Sequence, residues 1–206
     1  MSKDPAEHAT LLELWLEFLG LKDESRSGWV LRGVSNPESV ADHSWGTALL
    51  ALAFAADAAV DAAHAVKIAL VHDLAEVRVG DVPRRVDPQA QTMTPQAKAA
   101  AEAAAMEELA GHPATASFGE LWREYETGAS AEARFVRDMN LIDMCMQALY
   151  YQRNRRYRST PETEREFPDY RALDEFFATS YPRLQTELGR VLFDRVQAAY
   201  QAERDR

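Results

Sequence analysis

The sequence predicts an all-α bundle, and three observations carry that prediction. Alanine, leucine, glutamate, arginine and glutamine dominate, and these residues lose least on entering a helix. No segment alternates β-branched and polar residues in the way a half-buried strand requires. Apolar residues instead recur at three- and four-residue spacing, between recognisable start and stop signals. A chain of 206 residues, 47% hydrophobic and 27% charged, is expected to fold as one domain over residues 1–206 with a real core. Disorder does not fit that composition.

The elements follow in order. Leu11, Leu12, Leu14, Trp15, Phe18 and Leu19 form a helical stripe that Gly20 ends. Lys22 to Glu38, containing Gly28, Gly33 and Pro37, reads as a polar connector. Ser39 with Asp42 three residues on resembles a capping box, so a helix is expected from there to about Asp57. Asp61 is a suitable N-cap for the next helix, whose face carries Val66, Ala69, Leu70 and Leu74 and which should stop before Gly80. Asp81 to Thr94, with Pro83 and Pro88, is expected to be a loop. Thr94-Pro95 restarts a helix that Gly111-His112-Pro113 ends. Ser130 should cap a long helix to about Arg155, and the charged run Arg153 to Glu166 reads as a solvated loop. One or two amphipathic helices over Tyr170 to Ala202 close the chain, with an apolar stripe (Leu184, Leu188, Val191, Leu192, Val196) suited to an interface or to the core.

Charge and cysteine usage narrow the function. Lys and Arg number 23 against 33 Asp and Glu, a formal net charge of −10. Nucleic-acid polymers and anionic membranes need clustered cations, so neither is expected as a partner. A small anion held by a local cation or a metal remains compatible with the balance. The lone cysteine, Cys145, rules out an internal disulfide and a multi-cysteine zinc site, and its apolar setting reads as a packed thiol. Met1 to Thr10 has no apolar signal region, and the apolar stretch from Thr47 to Val60 is too short for a bilayer. A cytoplasmic protein is expected.

Three polar intrusions into apolar helices are the candidate chemistry. His72-Asp73, within Ile68-Ala69-Leu70-Val71-His72-Asp73-Leu74-Ala75-Glu76, puts three ionisable groups into five residues of an apolar helix. Burying such groups is costly unless they are paired or hold a metal, and imidazole plus carboxylate suits a divalent transition ion. His43 lies in the first turns of another apolar helix, within Val40-Ala41-Asp42-His43-Ser44-Trp45. Asn140 and Asp143, three residues apart in Arg137-Asp138-Met139-Asn140-Leu141-Ile142-Asp143-Met144, share a face of a third. Taken singly, each is also compatible with a structural role. His64 is expected on the outer side of its helix, and His8 and His112, in a terminus and a loop, read as solvated.

Taken together and in this order, these residues resemble the HD-domain metal-dependent phosphohydrolases, more closely their 5′-deoxynucleotidase branch. The motifs that carry the resemblance are Arg26-Ser27-Gly28-Trp29-Val30-Leu31-Arg32, Pro37-Glu38-Ser39-Val40-Ala41-Asp42-His43, Val71-His72-Asp73-Leu74-Ala75-Glu76 and Val79-Gly80-Asp81-Val82-Pro83. Glu124-Tyr125-Glu126-Thr127 with Ser130-Ala131-Glu132-Ala133-Arg134-Phe135-Val136 adds to them. It covers about residues 10 to 155, leaving residues 156–206 as a helical extension without a match.

The resemblance implies an HD-type bundle acting on nucleoside 5′-monophosphates, with a divalent ion of Co, Mn, Mg, Zn, Fe or Ni. His43, His72 and Asp73 fall on three metal-ligand positions. The fourth, an aspartate in the family, falls on Asn140, a neutral and weaker donor. Asp143, one turn on, is the alternative. Glu76 and Asp81 match the acidic residues beside the metal. Arg26 matches the arginine at the phosphate. Trp29 is assigned to substrate binding, as a surface for a base or sugar, or else to covering the core. Lys98 and Glu102 match without a chemical role. A homodimer is implied as well. Two alternatives stay open: hydrolysis of another small phosphate ester, and an HD module that binds nucleotides or a protein with weakened catalysis because of Asn140. An HD-type di-iron oxygenase is disfavoured, because it needs further histidines for a second iron.

Overall fold

The computed structural model describes residues 5–206; the side chains of residues 5–9, 88, 164 and 166 lie outside that description, and the expected solvation of His8 falls there. Among the described residues eleven α-helices follow one another: α1 Pro5–Leu19, α2 Ser27–Leu31, α3 Val40–Phe54, α4 Ala62–Val71, α5 Glu76–Val79, α6 Pro95–Leu109, α7 Ala116–Thr127, α8 Ala131–Arg153, α9 Pro161–Glu166, α10 Asp174–Ser180 and α11 Glu187–Arg204. Among the described residues there is no strand, only an isolated bridge between Ser25 and Ser39. The architecture is all-α.

The helix starts are chemical. Ser39 Oγ accepts from the Asp42 amide (3.1 Å) while the Asp42 carboxylate accepts from the Ser39 amide (3.0 Å). Asp61 Oδ1 accepts from Ala63 and His64, Thr94 Oγ1 from Ala97, and Ser130 Oγ from Ala133. Each such cap satisfies an amide the helix cannot, worth about 1 kcal/mol.

The 23-residue α8 is the axis, packing against α3, α4, α7, α10 and α11. Phe135, Val136, Met139, Ile142, Cys145 and Ala148 are essentially without exposure and meet Ala51, Ile68, Leu173, Phe177 and Phe193. Burying a side chain of that size contributes roughly 1.5 to 3 kcal/mol. A second cluster joins Phe18, Leu21, Val40, Leu74, Met106, Leu109 and Trp122. The two clusters meet along α3 and the end of α4: Val40 and Leu74 belong to one, Ala48 and Ala69 to the other. His43 and His72 therefore stand on the seam between two apolar masses.

Four expectations are corrected. The helix begun at Asp61 does not run on to Gly80; α4 ends at Val71 and α5 restarts at Glu76. Between them the bonding tightens to i→i+3, with Leu74 N on Val71 O and Glu76 N on Asp73 O, which turns successive side chains further apart than an α-helix does. The polar connector contains α2. The charged run contains α9, begun by a Thr160–Thr163 capping box with Pro161 at its first turn. His112 is half-buried, with Nδ1 accepting from the Ala114 amide and Nε2 enclosed without a partner. The stripe on α11 serves the core: Leu188, Leu192 and Val196 pack against the larger cluster, and Val191 is exposed.

Candidate active site

Two histidines converge from different helices, each with one ring nitrogen occupied and the other free. His43 Nδ1 donates to Asp143 Oδ2 on α8 at 2.7 Å. Gly46, one turn along α3, admits that carboxylate: a Cβ there would collide with it. His72 Nδ1 donates to the carbonyl of Ala69 at 2.7 Å. These bonds select the tautomer in which Nε2 carries the lone pair. Both Nε2 atoms are buried without a hydrogen-bond partner. Asp73 Oδ2 lies 3.2 Å from His72 Nε2 and 3.7 Å from His43 Nε2. Ligand atoms of the three residues all fall within 4.8 Å of one another. Two orphaned imidazole lone pairs beside a carboxylate are costly in an apolar seam, and a divalent cation satisfies all three.

The electrostatics agree with that donor set. Burial, with Arg26 adding to it, drives the His43 imidazole down to about 3, so it is neutral and available as a ligand. Burial also pulls His72 down, but the adjacent Asp73 carboxylate outweighs it and raises the pKa. A cation at this point would take the place of that proton. For Asp73, burial is outweighed by His72 and Arg26, which hold it ionised.

The remaining predicted residues line a pocket of about 150 Å³ that opens onto Asp73. Arg26 Nη1 sits 3.4 Å from Asp73 Oδ2 and 3.3 Å from Asp81 Oδ1, bridging the two carboxylates. Asp81 follows Gly80, whose φ of 79° turns the chain out of α5, and its Oδ2 accepts from the Ser27 amide at the start of α2. Glu76 is 2% exposed; Lys98 on α6 bonds its Oε1 at 2.9 Å while Oε2 has no partner. Burial and the nearby Asp73 raise its pKa well above the usual carboxylate range. Lys98 also meets Glu102 at 3.1 Å, which gives both residues a place in the site.

Asn140 lines the same pocket, and its Nδ2 donates to the Tyr125 hydroxyl at 2.6 Å. Its amide oxygen is the group left for the pocket. Asp143 is engaged on the far ring nitrogen of His43, away from the Nε2 cluster. Trp29 is 1% exposed, with its indole N–H on Glu38 Oε1 at 2.9 Å and Phe176 stacked on it at 3.8 Å. The indole forms wall, and Phe176 covers one face of it. His64, on the outer side of α4, pairs with Glu124 at 2.9 Å, remote from the cluster in its partners.

Several pocket residues went unassigned by sequence reasoning. Tyr125 packs edge-on to His72 (centroids 5.1 Å) as well as bonding Asn140. Phe167, Glu175, Phe176, Thr179 and Arg183 come from the C-terminal extension. Arg84 and Arg85, which follow Asp81 closely in the chain, line the same pocket and were likewise not assigned from the sequence.

Residues 19–179 match the profile of the HD-domain family. Among curated proteins, the chain is 38% identical over 135 residues to the human (Homo sapiens) 5′-deoxynucleotidase HDDC2, covering 64% of this chain and 63% of that protein. It is 32% identical over 140 residues to the 5′-deoxynucleotidase hdd1 of Schizosaccharomyces pombe, covering 65% and 68%. The match therefore spans less than two thirds of the HDDC2 protein. Among solved structures, the PH0347 protein of Pyrococcus horikoshii OT3 superposes with a TM-score of 0.67 at 33% identity, over 92% of this chain and 98% of that one. The profile match takes in α2 through most of α10, including every residue placed at the pocket except Arg183, and the chain belongs to the HD-domain family.

Proposed function

We propose that this chain is a metal-dependent phosphohydrolase that removes the 5′-phosphate of deoxyribo- or ribonucleoside monophosphates. The observation that carries the reading is the pair of buried, unpartnered Nε2 atoms of His43 and His72 beside Asp73 Oδ2, where Asp73 lines one pocket with Arg26, Glu76 and Asp81. The names of its curated relatives, 5′-deoxynucleotidase, support it.

His43, His72 and Asp73 would hold a divalent ion, with the Asn140 amide oxygen as a neutral fourth donor. When bound, such an ion polarises phosphoryl oxygens and lowers the pKa of water. Arg26, already fixed between Asp73 and Asp81, orients the phosphate and offsets its charge. Glu76 accepts the proton of the attacking water; burial and the nearby Asp73 raise its pKa, which makes it the stronger base, and Lys98 holds it in place. The proton that Glu76 takes from water leaves on the departing 5′-oxygen, passed on through the Asp81 carboxylate on the loop after Gly80, so that none is gained or lost.

Trp45, Leu49 and Leu52 stand exposed at helical spacing on α3, as do Leu12, Trp15, Leu16 and Leu19 on α1, and these faces support a homodimer. Among the described residues no helix is long and apolar enough to cross a membrane. The lone, buried cysteine fits the reducing cytoplasm.

The neutral Asn140 favours one second reading, a nucleotide-binding HD module with weakened turnover. One experiment separates the two: phosphate release from a panel of nucleoside 5′-monophosphates, with metal content measured on the same preparation. Release that depends on the bound ion supports the hydrolase. Full metal occupancy with nucleotide binding and no release rejects it in favour of the binding module.

A further inference from the structure

The pocket carries two sets of cations, and only one of them is neutralised. Arg26 is matched by Asp73 and Asp81, and Lys98 by Glu76 and Glu102. The same lining holds Arg32, Arg84, Arg85 and Arg183, and of its carboxylates only Glu175 pairs with any of these four, through Arg85. Glu175 Oε1 is taken up by Arg85 Nε at 3.2 Å and by the Val86 amide at 3.2 Å. Among the described residues, Arg32, Arg84 and Arg183 form no ion pair.

Their placement is built. Arg183 follows α10, and its Nε donates to the Thr179 carbonyl at 2.7 Å, which fixes the guanidinium and leaves its terminal nitrogens for the pocket. Burial, with Arg84 nearby, pulls its pKa down to about 10, so its charge lacks local compensation. Arg32 is 2% exposed and lies over the Phe167 ring at 3.9 Å; Nη2 donates to the Tyr170 carbonyl, while Nε and Nη1 are buried without partners. Unmatched buried cations are expensive, and here they stand in a chain with an overall anionic excess.

We infer that Arg32, Arg84 and Arg183 form a second anion subsite, for a phosphoryl group that the substrate carries in addition to its scissile 5′-phosphate. The inference rests on the hydrolase reading for the first phosphate. Three guanidinium groups without an ion-pair partner, beside one carboxylate that Arg85 already holds, suit an acceptor-only group. The amino-bearing edge of adenine or cytosine needs acceptors too. Guanidinium forks match phosphate oxygens in pairs. The preferred substrate class is therefore a nucleoside bisphosphate rather than a simple monophosphate.

Calorimetric titration of the full chain with Mn²⁺ present, using 2′-deoxyadenosine 3′,5′-bisphosphate and 2′-deoxyadenosine 5′-monophosphate, tests this. The bisphosphate should bind about tenfold or more tightly, the scale of one or two charge-assisted hydrogen bonds. Arg183→Gln should pull the ratio of the two dissociation constants toward one, and the exposed Arg84→Gln should do so in part. A ratio near one in the unaltered chain overturns the subsite, as does a ratio that survives both substitutions. Hydrolysis of the monophosphate without any bisphosphate preference removes the subsite and leaves the hydrolase. A clear preference in binding without hydrolysis of either nucleotide supports the subsite while removing the hydrolase.

Discussion

His43 Nδ1 lies 2.7 Å from Asp143 Oδ2, so the carboxylate sits on the side of the imidazole opposite the free Nε2. Burial raises the Asp143 pKa to about 7, with Arg26 and His72 pulling the other way. The arrangement orients the ring and fixes its tautomer, the task of a carboxylate behind a ligating histidine.

Asp143→Asn is therefore predicted to weaken divalent-ion affinity by about 10- to 100-fold while leaving the helical content unchanged. Gly46→Ala should act in the same direction, because its methyl group displaces the Asp143 carboxylate. Metal titration monitored by calorimetry checks both. Unaltered affinity in the two variants would show that His43 needs no support from behind.

Metal addition should stabilise the fold. An ion that binds the native state alone contributes about 2.7 kcal/mol at a hundred times its dissociation constant, and a chain of this size gains about 2 to 4 °C in Tm per kcal/mol. His72→Ala should lose that increment, and a chelator should reverse it in the unaltered chain. Differential scanning calorimetry with and without Mn²⁺ decides; a Tm indifferent to the ion rejects the three-ligand floor.

The reaction groups separate by which kinetic constant they move. Glu76→Ala and Asp81→Ala should each lower kcat by about 10²- to 10⁴-fold, the usual contribution of acid–base assistance. Arg26→Ala should raise KM for the nucleotide, because the contact proposed for Arg26 is with the phosphate rather than with the transferring proton. Turnover unchanged in both acidic variants would take them out of the mechanism.

The parts of this structure that were legible in the sequence are those fixed by local chemistry. Ser39, Asp61, Thr94 and Ser130 announce helix starts because a side-chain oxygen must satisfy amides a few residues on. His43 and His72-Asp73 stand out because charge in an apolar stripe needs a reason. What was hidden depends on contacts between distant segments. Asp143 looked like a reserve ligand, since spacing on α8 puts it on the face of Asn140; only the approach of α3 at Gly46 shows which histidine nitrogen it serves. Arg183 lies in a segment whose composition resembles any solvated helix end. Its place in one pocket lining with Arg26 and Arg84 is a property of the bundle rather than of the peptide. The break after Val71 was invisible for a related reason: the residues there have good helix propensity, and tertiary demands on His72 and Asp73 override it.

Cys145 should be chemically silent in the native protein. It is fully buried, and burial pushes its thiol up to about 12, so almost no thiolate exists at pH 8 to 9. A thiol-reactive dye is expected to label it only after denaturation. Stoichiometric labelling of the folded chain at pH 8 would place the thiol outside the core.

At Asn140 the chain departs from the carboxylate that its resemblance to the 5′-deoxynucleotidase branch implies. The amide nitrogen is committed to the Tyr125 hydroxyl at 2.6 Å, and the oxygen is left for the pocket. With two neutral histidines and one carboxylate, a divalent ion leaves the site at net positive charge; a second carboxylate would neutralise it. Tyr125 can accommodate that change, because its hydroxyl can donate to a carboxylate as readily as it accepts from an amide. Asn140→Asp is predicted to bind Mn²⁺ more tightly and to release phosphate from nucleoside 5′-monophosphates faster than the unaltered chain. The opposing effect is that a more positive site is the stronger Lewis acid once filled. Rate must therefore be compared at measured occupancy: faster release at subsaturating ion with equal rates at saturation means the carboxylate acts through affinity alone. Equal affinity and equal release at every ion concentration would show that residue 140 does not ligate, and since Asp143 is held on the far side of His43, the site would then work with three protein ligands.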